Sequence, residues 1–161
     1  MKITLKDGSV MEYTESKSII DIAFAISEGL ARAACAGEVD GEVLDLRTVI
    51  DHDCQLNILT AKDEAGLKVV RHTCSHVMAE AVKNLFPEAK LAIGPAIDTG
   101  YYYDFDSSSF SQEDLEKIEK EMKKIIKKGA KLEKFTMPRE EAIRFMEEKN
   151  EPYKVELIQE L

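Results

Sequence analysis

Polar and apolar positions alternate at the start of the chain in the manner of a β-hairpin. Residues 2–5 and residues 10–13 both alternate, and Asp7 and Gly8 lie between them. An Asp-Gly pair suits a tight hairpin turn because glycine readily adopts the positive φ that such a turn requires. The pattern therefore predicts two antiparallel strands joined by a short turn.

A helix and three short strands are predicted downstream of the hairpin. Apolar residues recur at helical spacing from residue 19 to residue 26, and Ser16 or Ser18 can cap this helix. Hairpin, helix and short strands in this order are typical of a small mixed sheet with one helix across it, a ubiquitin-like β-grasp roll of the α+β class. The strands are predicted over residues 30–36, 43–46 and 55–59.

A second region begins where the polar segment 61–64 follows the last apolar run, and we place a domain boundary after residue 61. Residues 62–161 again mix helical and strand-like patterns. Helices are predicted over 67–85, from the candidate cap Ser111 to Gly129 and from Pro138 to 149, and strands over 90–97, 101–105, 131–137 and 153–158.

Length and charge exclude some functions. The 161 residues are too few for a complete ATP-driven ligase with substrate, nucleotide and partner sites, because domains typically need about 100–150 residues each. The formal net charge is −9, and residues 1–61 carry 5 basic and 11 acidic side chains. This charge argues against tight, non-specific nucleic-acid binding, but it is compatible with a nucleic acid held mainly by other parts of a larger protein.

Cysteine usage and hydropathy predict the cellular compartment. The three cysteines show no CxxC spacing, and we find no signal peptide. No apolar run approaches the ~18 residues that a membrane span needs. We therefore expect a reduced, cytoplasmic protein without a membrane partner.

Two histidines, His72 and His76, stand four positions apart in the predicted helix 67–85. This spacing places both on one helix face, where they suit either acid–base chemistry around one substrate or paired metal ligation. A complete zinc site needs three or four ligands, and Cys74 lies two positions from each histidine and thus on another side of the helix. Two ordinary surface histidines are the simpler alternative.

Glycine, proline and tyrosine are concentrated in residues 94–104. Glycine lets the backbone approach a ligand closely, and tyrosine offers an apolar face with a polar tip. A tight turn followed by a strand is the structural alternative.

A basic run begins at the end of the helix that follows, and it suits either phosphate contact or a solvated helix end. Its members are Lys123, Lys124, Lys127, Lys128, Lys131 and Lys134.

Two motifs together carry a family resemblance. Residues 71–76, RHTCSH, and residues 92–106, AIGPAIDTGYYYDFD, closely resemble the editing domain of bacterial threonyl-tRNA synthetases. Residues 152–155, PYKV, resemble a later stretch of that domain, and the ubiquitin-like first part resembles the TGS domain that precedes it. The resemblance implies a TGS domain at 1–61 and the N-terminal portion of a second α+β domain, of the editing type, at 62–161.

The resemblance also implies a reaction. The parent enzyme uses ATP to join threonine to its tRNA and must reject serine, which lacks only one methyl group. Because one methyl supplies only ~1–3 kcal/mol of discrimination, a second site hydrolyses mischarged seryl-tRNA. By resemblance the catalytic residues are His72 and His76, which transfer protons or orient the ester, and the substrate-binding residues are Tyr103, Lys154, Gly94 and Pro95.

One half of the family's editing site is missing from this chain. In the family a CxxxH pair further along completes the site, whereas no Cys or His follows His76 here. We therefore expect an N-terminal fragment that is inactive alone, with no cofactor and no metal site. ATP with Mg and one Zn belong to the absent catalytic domain of the parent. The expected partners are tRNA, the rest of the synthetase chain and, for the parent, a second copy in a homodimer.

Two alternatives remain open. TGS domains also occur in regulatory GTPases and stringent-response enzymes, so the chain could be a regulatory or nucleic-acid-binding module. It could also be a free-standing, metal-dependent aminoacyl-tRNA hydrolase related to alanyl-type editing domains, which would need a third metal ligand.

Overall fold

The computed structural model describes residues 1–161, which divide into two units, residues 1–71 and residues 72–161. The N-terminal unit is built on a five-stranded sheet. Its strand order is β2 (Val10–Glu12), β1 (Lys2–Leu5), β7 (Cys54–Thr60), β4 (Ala34–Val39) and β5 (Glu42–Leu44), and all neighbours are antiparallel except the parallel pair β1 and β7.

One helix, α1 (Ile19–Ile26), packs on the strands and forms the core of this unit together with them. Ser18 caps it, because the serine hydroxyl accepts a hydrogen bond from the Asp21 N–H at 3.2 Å. Ile19 and Ile22 are fully buried against the strands. A Cβ at Gly37 would lie 2.6 Å from the Ile19 Cγ2 atom, so only glycine allows this contact between strand and helix. The predicted hairpin, cap and β-grasp arrangement are confirmed.

The prediction of a strand over residues 30–36 is wrong in its first half. Residues Glu28–Ala33 form a short helix, α2, before β4 begins at Ala34. The Ser27 hydroxyl accepts a hydrogen bond from the Leu30 N–H at 3.1 Å and starts this helix. Apolar content alone cannot separate a short helix from a strand. The sequence also did not indicate the two-residue strands β3 (Lys17–Ser18) and β6 (Val49–Ile50), which pair antiparallel.

The division between the units falls within α3 (Glu64–Leu85). Two antiparallel pairs of short strands follow it: β8 (Lys90–Leu91) with β11 (Phe105–Asp106), and β9 (Ala96–Ile97) with β10 (Gly100–Tyr101). Three further helices complete the unit: α4 (Gln112–Lys128), α5 (Arg139–Glu148) and α6 (Pro152–Glu160).

Helix α4 has the predicted ends. The Ser111 hydroxyl accepts from the Asp114 N–H, and the Asp114 carboxylate accepts from the Ser111 N–H, which is a complete capping box. Gly129 ends the helix at a φ of 61°. Ile118 of this helix packs with Ala81 and Val82 of α3 in the core of the second unit.

Two predicted strands of the second unit are wrong. Residues 131–137 form neither helix nor strand, and Leu132 is 74% exposed, so the apolar alternation there has no sheet to pack on. Residues 153–158 belong to α6, because Pro152 stands at the first helical position and favours a helix start. In the predicted strand 101–105 only the ends pair, in β10 and β11.

Both units combine helices with sheets, which confirms the α+β class. The domain boundary after residue 61 stays a prediction. None of the helices has both the length and the apolar character needed to cross a bilayer.

Candidate functional site

The two histidines of α3 touch each other. Their Nε2 atoms are 3.1 Å apart, and the rings meet edge to face with centroids at 4.6 Å. A hydrogen bond at this distance requires one Nε2 to donate and the other to accept, so at most one of the facing nitrogens carries the shared proton. Both side chains reach solvent although His76 is partly covered by its neighbours, so His72 and His76 form an accessible pair able to give and take protons.

Ser75 fixes the helix turn that carries this pair. It is fully buried, and its hydroxyl lies 2.7 Å from the His72 carbonyl and 2.8 Å from the Gly94 carbonyl. Both partners are acceptors, so the single hydroxyl proton is shared between them. Ser75 thus links α3 to the Gly94-Pro95 loop. Sequence reasoning missed this role, because a small residue between two histidines gives no sign of its distant partner.

The Gly94-Pro95 loop lies directly against a buried tyrosine. A Cβ at Gly94 would stand 2.1 Å from the Tyr103 Cδ2 atom, so only glycine fits. Tyr103 is 9% exposed and stacks on Phe105 at 4.9 Å between ring centroids, and its ring lies edge to face with the His76 ring at a centroid distance of 6.5 Å. The Pro95 carbonyl accepts a hydrogen bond from the Tyr102 N–H at 3.4 Å, which closes the loop.

Lys154 reaches the same place from the first turn of α6. Its ammonium donates to the Ala92 carbonyl at 2.7 Å and lies 5.6 Å from the centroid of the Tyr103 ring. The structure therefore brings together all the predicted site residues: His72, His76, Gly94, Pro95, Tyr103 and Lys154.

The surroundings of His76 lower its pKa below the ordinary value of 6.5. Partial burial is the largest cause, and electrostatic repulsion from the neighbouring His72 and Lys154 acts in the same direction. His76 is consequently neutral at pH 7 and able to accept a proton.

A metal centre has less support than acid–base chemistry. No group of three or more His, Cys, Asp or Glu side chains in the chain is placed to hold a metal ion. Cys74 is half-buried, and it adds to the effect of burial in raising the pKa of Tyr101. The histidine pair alone offers two nitrogen ligands, fewer than a zinc site needs.

The lysine run is only partly neutralised. Lys123 pairs with Glu119 at 2.5 Å, and Lys124 pairs with Glu121 at 2.9 Å. The remaining four lysines are exposed at the end of α4 and in the segment after it, and none of them forms an ion pair: Lys127, Lys128, Lys131 and Lys134.

The arrangement suits an ester or similar acyl group that reacts with water. A neutral imidazole can accept a proton from water, while the ammonium and the aromatic face can orient a polar substrate. Tyr103 also lines an open groove of about 600 Å³ together with Tyr101, Tyr102 and Phe110, although neither histidine borders it. No serine hydroxyl or cysteine thiol is hydrogen-bonded to either imidazole ring, since Ser75 bonds to the backbone carbonyl of His72.

Comparison with known proteins gives two results. Residues 1–60 match the TGS domain family. Over its whole length the chain is 65% identical to a threonine–tRNA ligase of Acetivibrio thermocellus, 59% identical to one of Clostridium botulinum strain Hall, and 57% identical to one of Clostridium acetobutylicum. The chain spans about a quarter of each relative, 26%, 26% and 25% of their lengths.

Proposed function

We propose that this chain, which begins with a TGS domain and is similar over its whole length to part of threonine–tRNA ligases, supplies half of an editing site in such a ligase. The parent protein would join threonine to its tRNA with ATP. The present chain would contribute to the hydrolysis of mischarged seryl-tRNA. Its partners would be that tRNA and the rest of the ligase, as a homodimer in the cytoplasm.

The observation that carries the proposal is the convergence of four side chains from three parts of the chain: helix α3, the segment between β10 and β11, and helix α6. The His72–His76 pair, the Tyr103 ring and the Lys154 ammonium lie side by side, although Lys154 stands far from the histidines in sequence. A binding module would not require two adjacent imidazoles beside an ammonium. Hydrolysis of an ester does require a proton acceptor and groups that hold the substrate.

The chemistry would proceed by attack of water on the ester carbonyl carbon. Neutral His76 would accept the proton of the water, since its pKa is lowered. His72 would supply the second imidazole of the pair and would exchange a proton with His76 across the 3.1 Å contact between their Nε2 atoms. The bond between the carbonyl carbon and the ribose oxygen would then break, and the histidine pair would pass the proton taken from water to that oxygen, which releases serine and the tRNA hydroxyl. Lys154 and Tyr103 would orient the terminal nucleoside and the amino acid.

The site is expected to be incomplete in this chain. The resemblance places a CxxxH pair further along the parent, and the present chain has no Cys or His after His76. ATP with Mg and one Zn would serve the catalytic domain of the parent. The isolated chain is therefore expected to bind the end of seryl-tRNA weakly and not to hydrolyse it at a useful rate.

A non-hydrolysable seryl-adenosine analogue, with an amide in place of the ester, tests this function. We expect its titration to move the NMR signals of His76, Tyr103 and Lys154, and we expect the shifts of Tyr103 and Lys154 to be lost in His76→Ala. A His52→Ala control, which removes an exposed histidine of the N-terminal unit, should bind like the unaltered chain. Absence of any shift in these residues would contradict the proposal.

A metal-dependent hydrolase is distinguished by a separate measurement. The histidine geometry offers two nitrogens and no third ligand. Chelator-treated protein is expected to take up no stoichiometric, tightly bound zinc. Tight zinc, together with rapid deacylation by the isolated chain that disappears in His72→Ala, would favour the metal-dependent enzyme instead.

A further inference from the structure

Glu151 is the only charged residue that this fold buries. Its exposed fraction is 5%, and it stands immediately before α6, the helix that carries Lys154. Burying a carboxylate is unfavourable unless it is paired and hydrogen-bonded. An apolar side chain could anchor the start of a helix without this cost, so the buried carboxylate calls for a specific reason.

Both carboxylate oxygens of Glu151 are used. Oε1 forms an ion pair with the Lys83 ammonium at 2.7 Å, and Oε2 accepts a hydrogen bond from the Leu91 N–H at 2.9 Å. Lys83 in turn donates to the carbonyls of Pro87 and Ala89, each at 2.9 Å. Through these bonds Glu151, the residue that precedes α6, is tied to the end of α3, to the turn after it and to strand β8.

The geometry connects this anchor directly to Lys154. The Glu151 carbonyl accepts a hydrogen bond from the Lys154 N–H at 3.1 Å in the first turn of α6. The Lys154 ammonium then bonds to the carbonyl of Ala92, the residue next to Leu91. Glu151 and Lys154 therefore bond to adjacent residues: the Glu151 carboxylate accepts from the Leu91 N–H, and the Lys154 ammonium donates to the Ala92 carbonyl.

A second bond fixes α6 from its other side. The Tyr153 hydroxyl donates to the Asp106 carboxylate at 2.9 Å, and Asp106 belongs to β11, the partner strand of β8. Glu151 and Tyr153 thus fix the residues on either side of Pro152 to the two strands of one pair. A lysine side chain on a loosely held helix end would sample many rotamers, whereas here it is held ready.

We propose that Glu151 is a positioning residue for this site: by pinning the first turn of α6 to α3 and β8, it keeps the Lys154 ammonium at the Ala92 carbonyl and beside the Tyr103 ring. The role of Lys154 in orienting an aminoacyl ester rests on the proposed function. The positioning itself does not, and it is measurable without any substrate.

The first test compares Glu151→Gln with the matched control Glu148→Gln, which changes an exposed carboxylate at the end of α5. Glutamine keeps the volume and an acceptor for Leu91 but loses the charge that holds Lys83. Competitive acetylation with mass spectrometry reports how accessible the Lys154 amine is. We expect severalfold faster labelling of Lys154 in Glu151→Gln and no change in Glu148→Gln. Unchanged labelling in folded Glu151→Gln would overturn the proposal.

A double-mutant cycle separates positioning from general loosening. Lys154 helps to lower the pKa of His76, so displacing Lys154 should raise that pKa in Glu151→Gln. In a Lys154→Met background the same change should have no further effect on His76. A shift of the His76 pKa that persists there, or no shift in the folded single variant, would overturn the proposal.

If Glu151→Gln does not fold, Lys83→Gln removes the same ion pair from the other side. We expect Lys83→Gln to give the same faster labelling of Lys154 and the same rise in the His76 pKa. Unchanged labelling and an unchanged His76 pKa would overturn the proposal.

Discussion

At the scale of single residues, the site depends on side chains that perform no chemistry themselves. Ser75 and Glu151 hold the backbone and helix that present the reactive groups. The family resemblance pointed to the histidines, Tyr103 and Lys154 as candidate site residues, and the structure places these four side chains near one another. Ser75 and Glu151 were not predictable from the sequence, because the partners that define their roles lie 19 and 60 positions away and become visible only in the fold.

Replacing Ser75 by alanine should destabilise the chain. The change removes a buried hydroxyl that serves two carbonyls, and losing a hydrogen bond of this kind costs about 0.5–1.5 kcal/mol. Urea denaturation should therefore show a lower free energy of unfolding in Ser75→Ala. The exposed Ser109→Ala control should stay within about 0.5 kcal/mol of the unaltered chain. Equal stability of Ser75→Ala and the unaltered chain would refute the bridging role.

The titration of His76 gives a pH prediction with a definite sign. Because burial and the neighbouring charges lower its pKa, the unfolded chain binds this proton more readily than the folded chain. The His76 contribution to stability is therefore constant above the ordinary pKa of 6.5 and is lost as the pH falls from there through the folded-state value. An NMR titration should give a midpoint below 6.5. A midpoint at or above that value would be inconsistent with the site geometry.

At the scale of secondary structure, the reliable predictions were those with chemical end signals. The hairpin turn, the Ser18 cap and the capping box of α4 all follow from local hydrogen bonds. The failures came from apolar alternation alone. Residues 131–137 have no strand to pair with, and residues 153–158 follow a proline that favours a helix start. Alternation indicates a strand only where a sheet is available.

Gly94 sets the distance between the loop and the aromatic ring. A methyl group there would meet Tyr103 at 2.1 Å, so Gly94→Ala must displace the ring or the loop. We expect a loss of about 1–3 kcal/mol, in the range found for overpacked cores, and altered NMR signals of Tyr103. Gly100→Ala is the matched control, since its added methyl meets nothing within 4 Å. If both variants behaved alike, the close approach of Gly94 to Tyr103 would be wrong.

The capping box of α4 offers a test on a single helix. Ser111→Ala removes the hydroxyl that accepts from the Asp114 N–H, which should cost about 1 kcal/mol. Circular dichroism should show slightly lower helicity and an earlier thermal transition. Ser108→Ala, at an exposed position outside the helix, should leave both unchanged. No difference between the two variants would argue against the cap.

At the scale of the whole molecule, the chain holds a β-grasp unit and a second unit with half of a proposed hydrolytic site. It spans about a quarter of the ligases that it matches. Residues 1–61 carry most of the net charge of −9, with 5 basic and 11 acidic side chains, so this part is not expected to bind tRNA tightly by itself. The four lysines of the basic run that form no ion pair lie in the second unit, which also holds the histidine pair.

The most direct test of the central claim is deacylation of seryl-tRNA by a chimeric ligase. The segment of the Acetivibrio thermocellus ligase that aligns with this chain is replaced by the chain, and hydrolysis of threonine-specific tRNA charged with serine is followed. We expect the chimera and its His52→Ala control to clear seryl-tRNA, and the His76→Ala chimera to let it accumulate. Equally fast clearance by the folded His76→Ala and His72→Ala chimeras would contradict the claim that this histidine pair forms part of an editing site.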